Sequence, residues 1–287
     1  MIITKLIGGL GNQMFQYAVG RRAAYINNTS LKLDIAGYEN QADITPRKYS
    51  LDIFNIKEEF VNTNEIRKLK KTASLFSRFM LGNKQSYVKE KHFQFDQNIL
   101  KIKNNTYLEG YWQSEKYFKD IEIIIRKEFS FKEEVQDKLN KKNISQIVNS
   151  NSISIHIRHG DYIFDKGTHE RHGVCKLEYY KRAIELIIKK VKNPHFFVFS
   201  DDHKWMKQNL ILKYPYNYIV NNFGNKDYED MRLMGLCKHN IIANSSFSWW
   251  GAWLNQNKNN IVIAPNKWFK DKSTNTKDLL PQSWIKI

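Results

Sequence analysis

Apolar positions in the second half of the chain fall into short β-branched runs separated by stretches with helical spacing, from about Ser152 to Pro265. This alternation predicts a parallel sheet with crossover helices. The predicted strands are Ser152 to Ile157, Phe196 to Phe199, Tyr218 to Val220, Ile241 to Ala243 and Ile261 to Ala264. Between them, Leu177, Tyr180, Ile184, Ile187, Ile188 and Val191 recur at helical spacing. Asp227 is placed to cap a helix carrying Met231, Met234 and Cys237 on its inner face. The first half opens the same way, with a strand through Ile7, a glycine turn, a helix from Gln13 to Asn27 and a strand from Leu31 to Asp34. Beyond Asn40 the pattern loosens. Gln41 to Leu51 reads as a loop, and Asn64 to Met80 as a basic amphipathic stretch suited to packing on the protein or docking on a membrane surface.

The polar run Asn140 to Asn151 precedes the first strand of the second half, so the expected division is 1–150 and 151–287. A chain of 287 residues accommodates two medium α/β lobes. Two cysteines, Cys175 and Cys237, with no CxxC, suggest neither a disulfide framework nor a cysteine zinc site. No apolar run is long enough for a membrane span or a signal-peptide core, so a cytoplasmic protein is expected. The formal charge of +17 suits nucleic acid, anionic lipid or phosphorylated small substrates, and equally an AT-rich coding bias.

Three polar clusters fall at the carboxyl ends of predicted strands, the edge where open parallel sheets bind ligands. They are His156 to Tyr162, Ser200 to Asp202, and Asn244 to Ser248. Arg158 offers a fork for phosphate, and Gly160 permits close backbone approach. Ser245, Ser246, Phe247 and Ser248 precede or open a helix whose unpaired N–H groups suit an anion. Asp201 or Asp202 can accept from a ribose hydroxyl or a guanine amino group. Together these residues describe a nucleoside diphosphate site. Taken singly, each has a plainer role: helix capping for the serines, a strand-end turn for the aspartates, and an ion pair with Asp161 for Arg158.

The turn Gly8-Gly9-Leu10-Gly11-Asn12-Gln13, followed by Asp34 at the next strand end, also has the outline of a dinucleotide fingerprint. Met14 stands where its third glycine belongs, where a side chain would obstruct close helix–strand packing. No Asp-x-Asp is present, and His156/His159 and His169/His172 lack further ligands, so no metal is expected.

Five blocks resemble the bacterial α-1,2-fucosyltransferases across nearly the whole chain. They are Ile7 to Ala18, Leu108 to Phe118, His156 to Tyr162, Phe199 to Asp202 and Asn244 to Trp253. The resemblance implies a GT-B type α/β fold, with two Rossmann-like lobes facing a cleft: an acceptor lobe (1–150) and a GDP-fucose lobe (151–287), the last residues packing back on the first lobe. It implies inverting, metal-independent transfer of L-fucose from GDP-β-L-fucose to the 2-hydroxyl of a β-galactoside in a surface glycan. No cofactor is required beyond this donor substrate.

By the same resemblance Arg158 engages the β-phosphate, and His156 and Asp161 match donor-site positions. Ser200 to Asp202 are expected near the guanosine, and Ser246 to Ser248 near the phosphates and ribose. Gly11, Asn12 and Gln13 are expected toward fucose and acceptor, so the expected catalytic set is Arg158, Asp161 and Asn12. The family motif's second arginine is His159 here. Tyr111, Trp112, Trp249, Trp250 and Trp253 are expected in packing rather than sugar stacking. A lipid-linked acceptor would bring the basic protein to an anionic membrane face. Two rival readings are an NAD-dependent oxidoreductase, resting on the N-terminal glycines, and a nucleic-acid-binding protein, resting on charge. The latter has no recognised module motif, and its basic residues are scattered.

Overall fold

A computed structural model of the chain describes residues 1–39, 46–71, 86–160, 170, 173–271 and 273–287. It divides into two units, 1–132 with 275–281, and 133–274 with 282–287. The division therefore precedes the Asn-rich run rather than following it. That run is largely helix α4 (Lys138–Val148), which belongs to unit 2. Its asparagines are not linker polarity, because Asn140 is buried and donates to Asn222 at 2.7 Å. The chain end is shared: 275–281 joins unit 1, whereas 282–287 returns to unit 2. Asp278 anchors the former segment by pairing with Lys116 at 2.6 Å and accepting the Phe95 N–H at 3.1 Å.

Unit 1 contains a parallel sheet ordered β2 (Leu31–Asp34), β1 (Ile2–Lys5), β4 (Thr106–Glu109), β3 (Tyr87–Lys89). Helix α1 (Leu10–Ile26) follows β1 and starts three residues before the expected Gln13. It is buried almost all round as far as Gly20, with Met14, Phe15, Tyr17, Ala18 and Val19 in the core and Gln13 and Gln16 enclosed beside them. Its close approach to the sheet is made at Gly20, where a Cβ would lie 2.7 Å from Thr4 Oγ1. The described part of the basic amphipathic stretch is helix α2 (Thr63–Lys71), with Leu69 buried; the remainder of that stretch, and Gln41 to Thr45 of the expected loop, lie outside the described residues. A short helix α3 (Glu122–Glu128) closes the unit.

Unit 2 is built on a parallel sheet ordered β10 (Ile285–Lys286), β9 (Val262–Ala264), β8 (His239–Ile241), β5 (Asn151–Ile157), β6 (Pro194–Ser200), β7 (Tyr216–Ile219). All five predicted strands are present, and β10 is additional. Strands β5, β6 and β9 are buried on both faces; Phe196 to Phe199 of β6 and all of β9 read as apolar runs, whereas β5 alternates Ile153, Ile155 and Ile157 with buried Ser152, Ser154 and His156. One face packs Ile153, Ile155, Phe196 and Val198 against Tyr180, Ala183 and Ile187 of helix α5 (Leu177–Ile188).

After β6 comes helix α6 (His203–Asn209). Helices α7 (Tyr228–Leu236) and α8 (Ser246–Trp253) pack together, and a Cβ on Gly251 would sit 3.0 Å from Met234 Cβ. Trp249, Trp250 and Trp253 are buried there, joined by Trp284 at 5.5 Å from Trp249. The tryptophans are packing residues, as is Trp112, whereas Tyr111 is only half-buried. Among the described residues no helix is long and apolar enough to cross a membrane.

Candidate active site

In unit 2 the chain runs outward from β5 through β6 and β7, then returns to β8 on the other side of β5. Strand order therefore reverses between β5 and β8, and the carboxyl ends of these strands form the crevice where such sheets take ligands. The register sets the three polar clusters side by side. Ile157 pairs with Ser200, so Arg158 lies level with Asp201; Ile155 pairs with Ile241, so two residues on the Ala243–Asn244 segment reaches the same edge.

The Arg158 Nε lies 3.3 Å from Asp201 Oδ2. The other Asp201 oxygen accepts the N–H groups of His159 at 2.8 Å and Gly160 at 3.1 Å. Burial alone would push the Asp201 carboxyl up; Arg158 and these two N–H groups more than offset it and hold it below the usual carboxylate range. Gly160 eases this approach, since a Cβ there would stand 3.3 Å from Asp201 Oδ2, a tight contact. Asp202 caps α6 by accepting the Trp205 N–H at 2.9 Å, and its Oδ2 meets His159 Nδ1 at 2.9 Å. The His159 ring also stacks on Trp205 at 4.4 Å, so the motif's second arginine is replaced by a residue that ties the β5 loop to α6. The Ser200 hydroxyl donates to the Asp202 carbonyl and accepts from the Asp202 N–H. The Ser200–Asp202 cluster thus shapes the loop that presents Arg158, and its polar groups are engaged by the protein itself.

His156 is 3% exposed, with its ring 5.7 Å from that of Phe247, which joins the β5 and α8 clusters. Burial, with the Arg158 charge second and Asp201 opposing, pushes its pKa down to about 3, so it is neutral at physiological pH. At the start of α8 the Ser245 side chain makes no capping bond. The first-turn N–H groups of Ser246, Phe247 and Ser248 have no intrahelical acceptor, as at any helix start. The Ser248 hydroxyl is buried and donates to the Ser245 carbonyl at 3.3 Å. Arg158 and this helix start are the groups at the edge whose chemistry suits an anion. Asp161, expected to be catalytic, lies outside the described residues.

Unit 1 repeats the arrangement: β1 lies between β2 and β4, and the glycine turn leaves β1 beside the end of β4. Gly8 has φ +75°, open to glycine at little cost. Gly11 is buried in the first turn of α1. Asn12 Oδ1 accepts from Gln113 Nε2 at 2.7 Å. Gln13 does not serve as expected, because its amide is 0% exposed and fully used. It donates to the carbonyls of Gly8 at 3.0 Å and Lys48 at 2.7 Å, and accepts the Ser50 N–H at 2.9 Å. It staples the segment after β2 to the glycine turn. Asp34 is likewise spent, accepting from Tyr107 at 2.5 Å and from the Ala36 N–H at 3.1 Å, which removes the ribose-binding acid of the dinucleotide reading. Gln113 and Glu90, which surround Asn12 and the end of β4, were not among the sequence candidates. Gln113 lies inside the Leu108 to Phe118 block without a role assigned to it there, and no sequence pattern marks Glu90.

The sequence model of glycosyl transferase family 11 matches residues 1–287. The Alpha-1,2-colitosyltransferase of Escherichia coli is 36% identical, with 100% of this chain and 99% of that protein aligned. The O-antigen biosynthesis glycosyltransferase WbnK of Escherichia coli is 37% identical over 98% of this chain and 99% of its own length. The Galactoside alpha-(1,2)-fucosyltransferase 2 of Sus scrofa is 22% identical, covering 86% of this chain and 68% of that protein.

Proposed function

Because the chain belongs to glycosyl transferase family 11, and is thereby a glycosyltransferase, we propose that it moves L-fucose from GDP-β-L-fucose to the 2-hydroxyl of a β-galactoside, with inversion. The observation that carries this reading is the strand-order reversal in unit 2, with Arg158 on one side and the start of α8 on the other. In the reaction the acceptor 2-hydroxyl oxygen forms a bond to the anomeric carbon as the bond from that carbon to the diphosphate oxygen breaks, and the hydroxyl proton is released to solvent water. Negative charge grows on the departing GDP, and Arg158 with the Ser246 to Ser248 N–H groups is arranged to receive it without a metal. From unit 1, Asn12 is the group offered to the sugar or acceptor.

The acceptor is read as an O-antigen or related surface glycan, supported by the relationship to WbnK. The charge of +17 supports a cytoplasmic enzyme working at an anionic membrane face. A second reading concerns the donor sugar alone. The relative named for α-1,2-colitosyl transfer is similar over the whole chain, which favours a colitosyl donor as the competitor.

Calorimetric titration with GDP and then GDP-fucose, in EDTA and with ADP and NAD as controls, tests the donor site. Selective GDP binding without metal is expected, followed by transfer to β-galactosides in which the 2-hydroxyl is lost to substitution. Binding of NAD in place of GDP, or of neither, overturns the reading. Faster turnover with GDP-colitose than with GDP-fucose selects the second donor.

A further inference from the structure

Glu90 directly follows β3 and holds two successive amides of the neighbouring strand end. Its Oε2 accepts the Tyr111 N–H at 2.7 Å, and its Oε1 accepts the Trp112 N–H at 3.0 Å. The fork closes on a backbone that is not relaxed: Trp112 has φ +56°, a conformation a bulky residue adopts only when its surroundings impose it. Gly110 is part of the same fit, because a Cβ there would fall 2.4 Å from Glu90 Cβ. The next residue, Gln113, donates its side-chain N–H to Asn12 Oδ1 at 2.7 Å. Asn12 in turn sits in the first turn of α1, its own N–H bonded to the Gly9 carbonyl at 2.9 Å. An unbroken run of contacts therefore leads from Glu90 to the glycine turn within unit 1.

We infer that Glu90 is a positioning residue for glycosyl transfer: its carboxylate fixes the Tyr111–Trp112 backbone, which aims Gln113, which orients the side-chain amide of Asn12. The inference rests on the proposed function, in which Asn12 meets the sugar or acceptor. The ionised form is the one that works, since a carboxylate has only acceptors to offer two N–H donors, whereas a carboxylic acid turns one hydroxyl against them. Burial pushes this carboxyl up; the Tyr111 and Trp112 N–H groups, and then the nearby His92, pull against burial without cancelling it. The groups around it are Lys89, Lys91 and His92 on its own segment, Asp96 on the following turn and Tyr117 beyond β4, all lining with it a cavity of about 190 Å³. None of these side chains is bonded to the Glu90 oxygens in the way the two amides are.

Glu90→Gln keeps the shape and one acceptor but points an NH₂ at the second amide. In that variant kcat is expected to fall by about 10-fold, and by at most about 100-fold, the cost of misplacing a group by about 1 Å. GDP affinity, set by unit 2, is expected to stay within about twofold. Gln113→Ala lowers kcat in the same way. The double variant is expected to be no worse than the more damaged single variant, because both act through one route. Hydrogen exchange supplies a readout besides turnover: E90Q accelerates exchange in peptides covering 110–114 and 8–14, whereas Gln113→Ala accelerates it only in 8–14.

Unchanged kcat in E90Q, or additive losses in the double variant, overturns the inference. If E90Q fails to fold, Gln113→Ala decides, and unchanged kcat with unchanged exchange in 8–14 overturns it. If the native chain transfers no fucose or colitose, the proposed function fails by itself. The exchange experiment then still reads the link, with acceleration at 8–14 in E90Q supporting it and no change refuting it.

Discussion

Replacing Arg158 by alanine should separate ligand chemistry from stability. The guanidinium lies 3.3 Å from Asp201 Oδ2, an attraction of about 5 kcal/mol at an effective dielectric constant of about 20, before desolvation is counted. Both side chains are about one-fifth exposed, 19% and 22%, so solvent and the cost of ordering reduce the net contribution to about 1 kcal/mol. Asp201 also keeps its two backbone donors in the variant, and the fold should lose little.

Donor binding should lose more. A charged hydrogen bond to phosphate contributes about 1.5–3 kcal/mol, which weakens GDP by about 10-fold to 150-fold. Turnover should fall by about 10²-fold to 10³-fold, since the leaving diphosphate gains charge only as the bond breaks. Arg158→Lys retains the charge but not the planar fork, and should fall between native and alanine in both measurements. The assays are calorimetry with GDP, steady-state transfer, and urea unfolding of all three proteins. An alanine variant with native GDP affinity and turnover refutes the phosphate role. One that loses more than about 3 kcal/mol of stability shows that Arg158 is chiefly a structural ion pair.

Three further outcomes follow from single sites. Gln13→Ala leaves two carbonyls and one N–H of the 8–50 junction without their partners, and should cost about 2–4 kcal/mol by urea unfolding; less than about 1 kcal/mol contradicts the staple. Asp230 is buried, and burial, opposed by the Asn222 hydrogen bond and reinforced by Asp227 and Glu229, pushes its pKa up to about 8. Its folded pKa therefore exceeds its unfolded one. This contribution to stability is complete below pH of about 4 and is lost as pH rises toward about 8, at no more than about 1.4 kcal/mol per pH unit. Asp230→Asn preserves the bond from Asn222 and should remove that slope, so parallel stability curves for the two proteins from pH 5 to 8 would refute the assignment. Gly110→Ala drives a methyl group against Glu90 and Trp112 and should destabilise unit 1 by about 1–3 kcal/mol; a native unfolding midpoint would show that the strand end gives way freely.

What the sequence determined by itself was the α/β class, the five strands of 151–264 and the polar clusters following three of them. β-branched clusters and helical spacing are local signals, and a strand buried on both faces is rich in apolar residues. It also showed the glycine turn and the residue types suited to a diphosphate. It did not reveal β3 or β4, whose few residues carry too little pattern beside the Lys- and Asn-rich segments flanking them. The Asn-rich run read as a linker proved to be a helix, because the partners of Asn140 lie some eighty residues away. Only the tertiary structure decided that β5 lies between β8 and β6, since strand pairing is non-local and no residue of β5 encodes its neighbour. That order puts Arg158 beside both Asp201 and the start of α8. It also decided which polar side chains remain for a ligand. Gln13, Asp34 and Asp202 have suitable chemistry, but buried backbone groups must find partners, and in this fold those residues supply them.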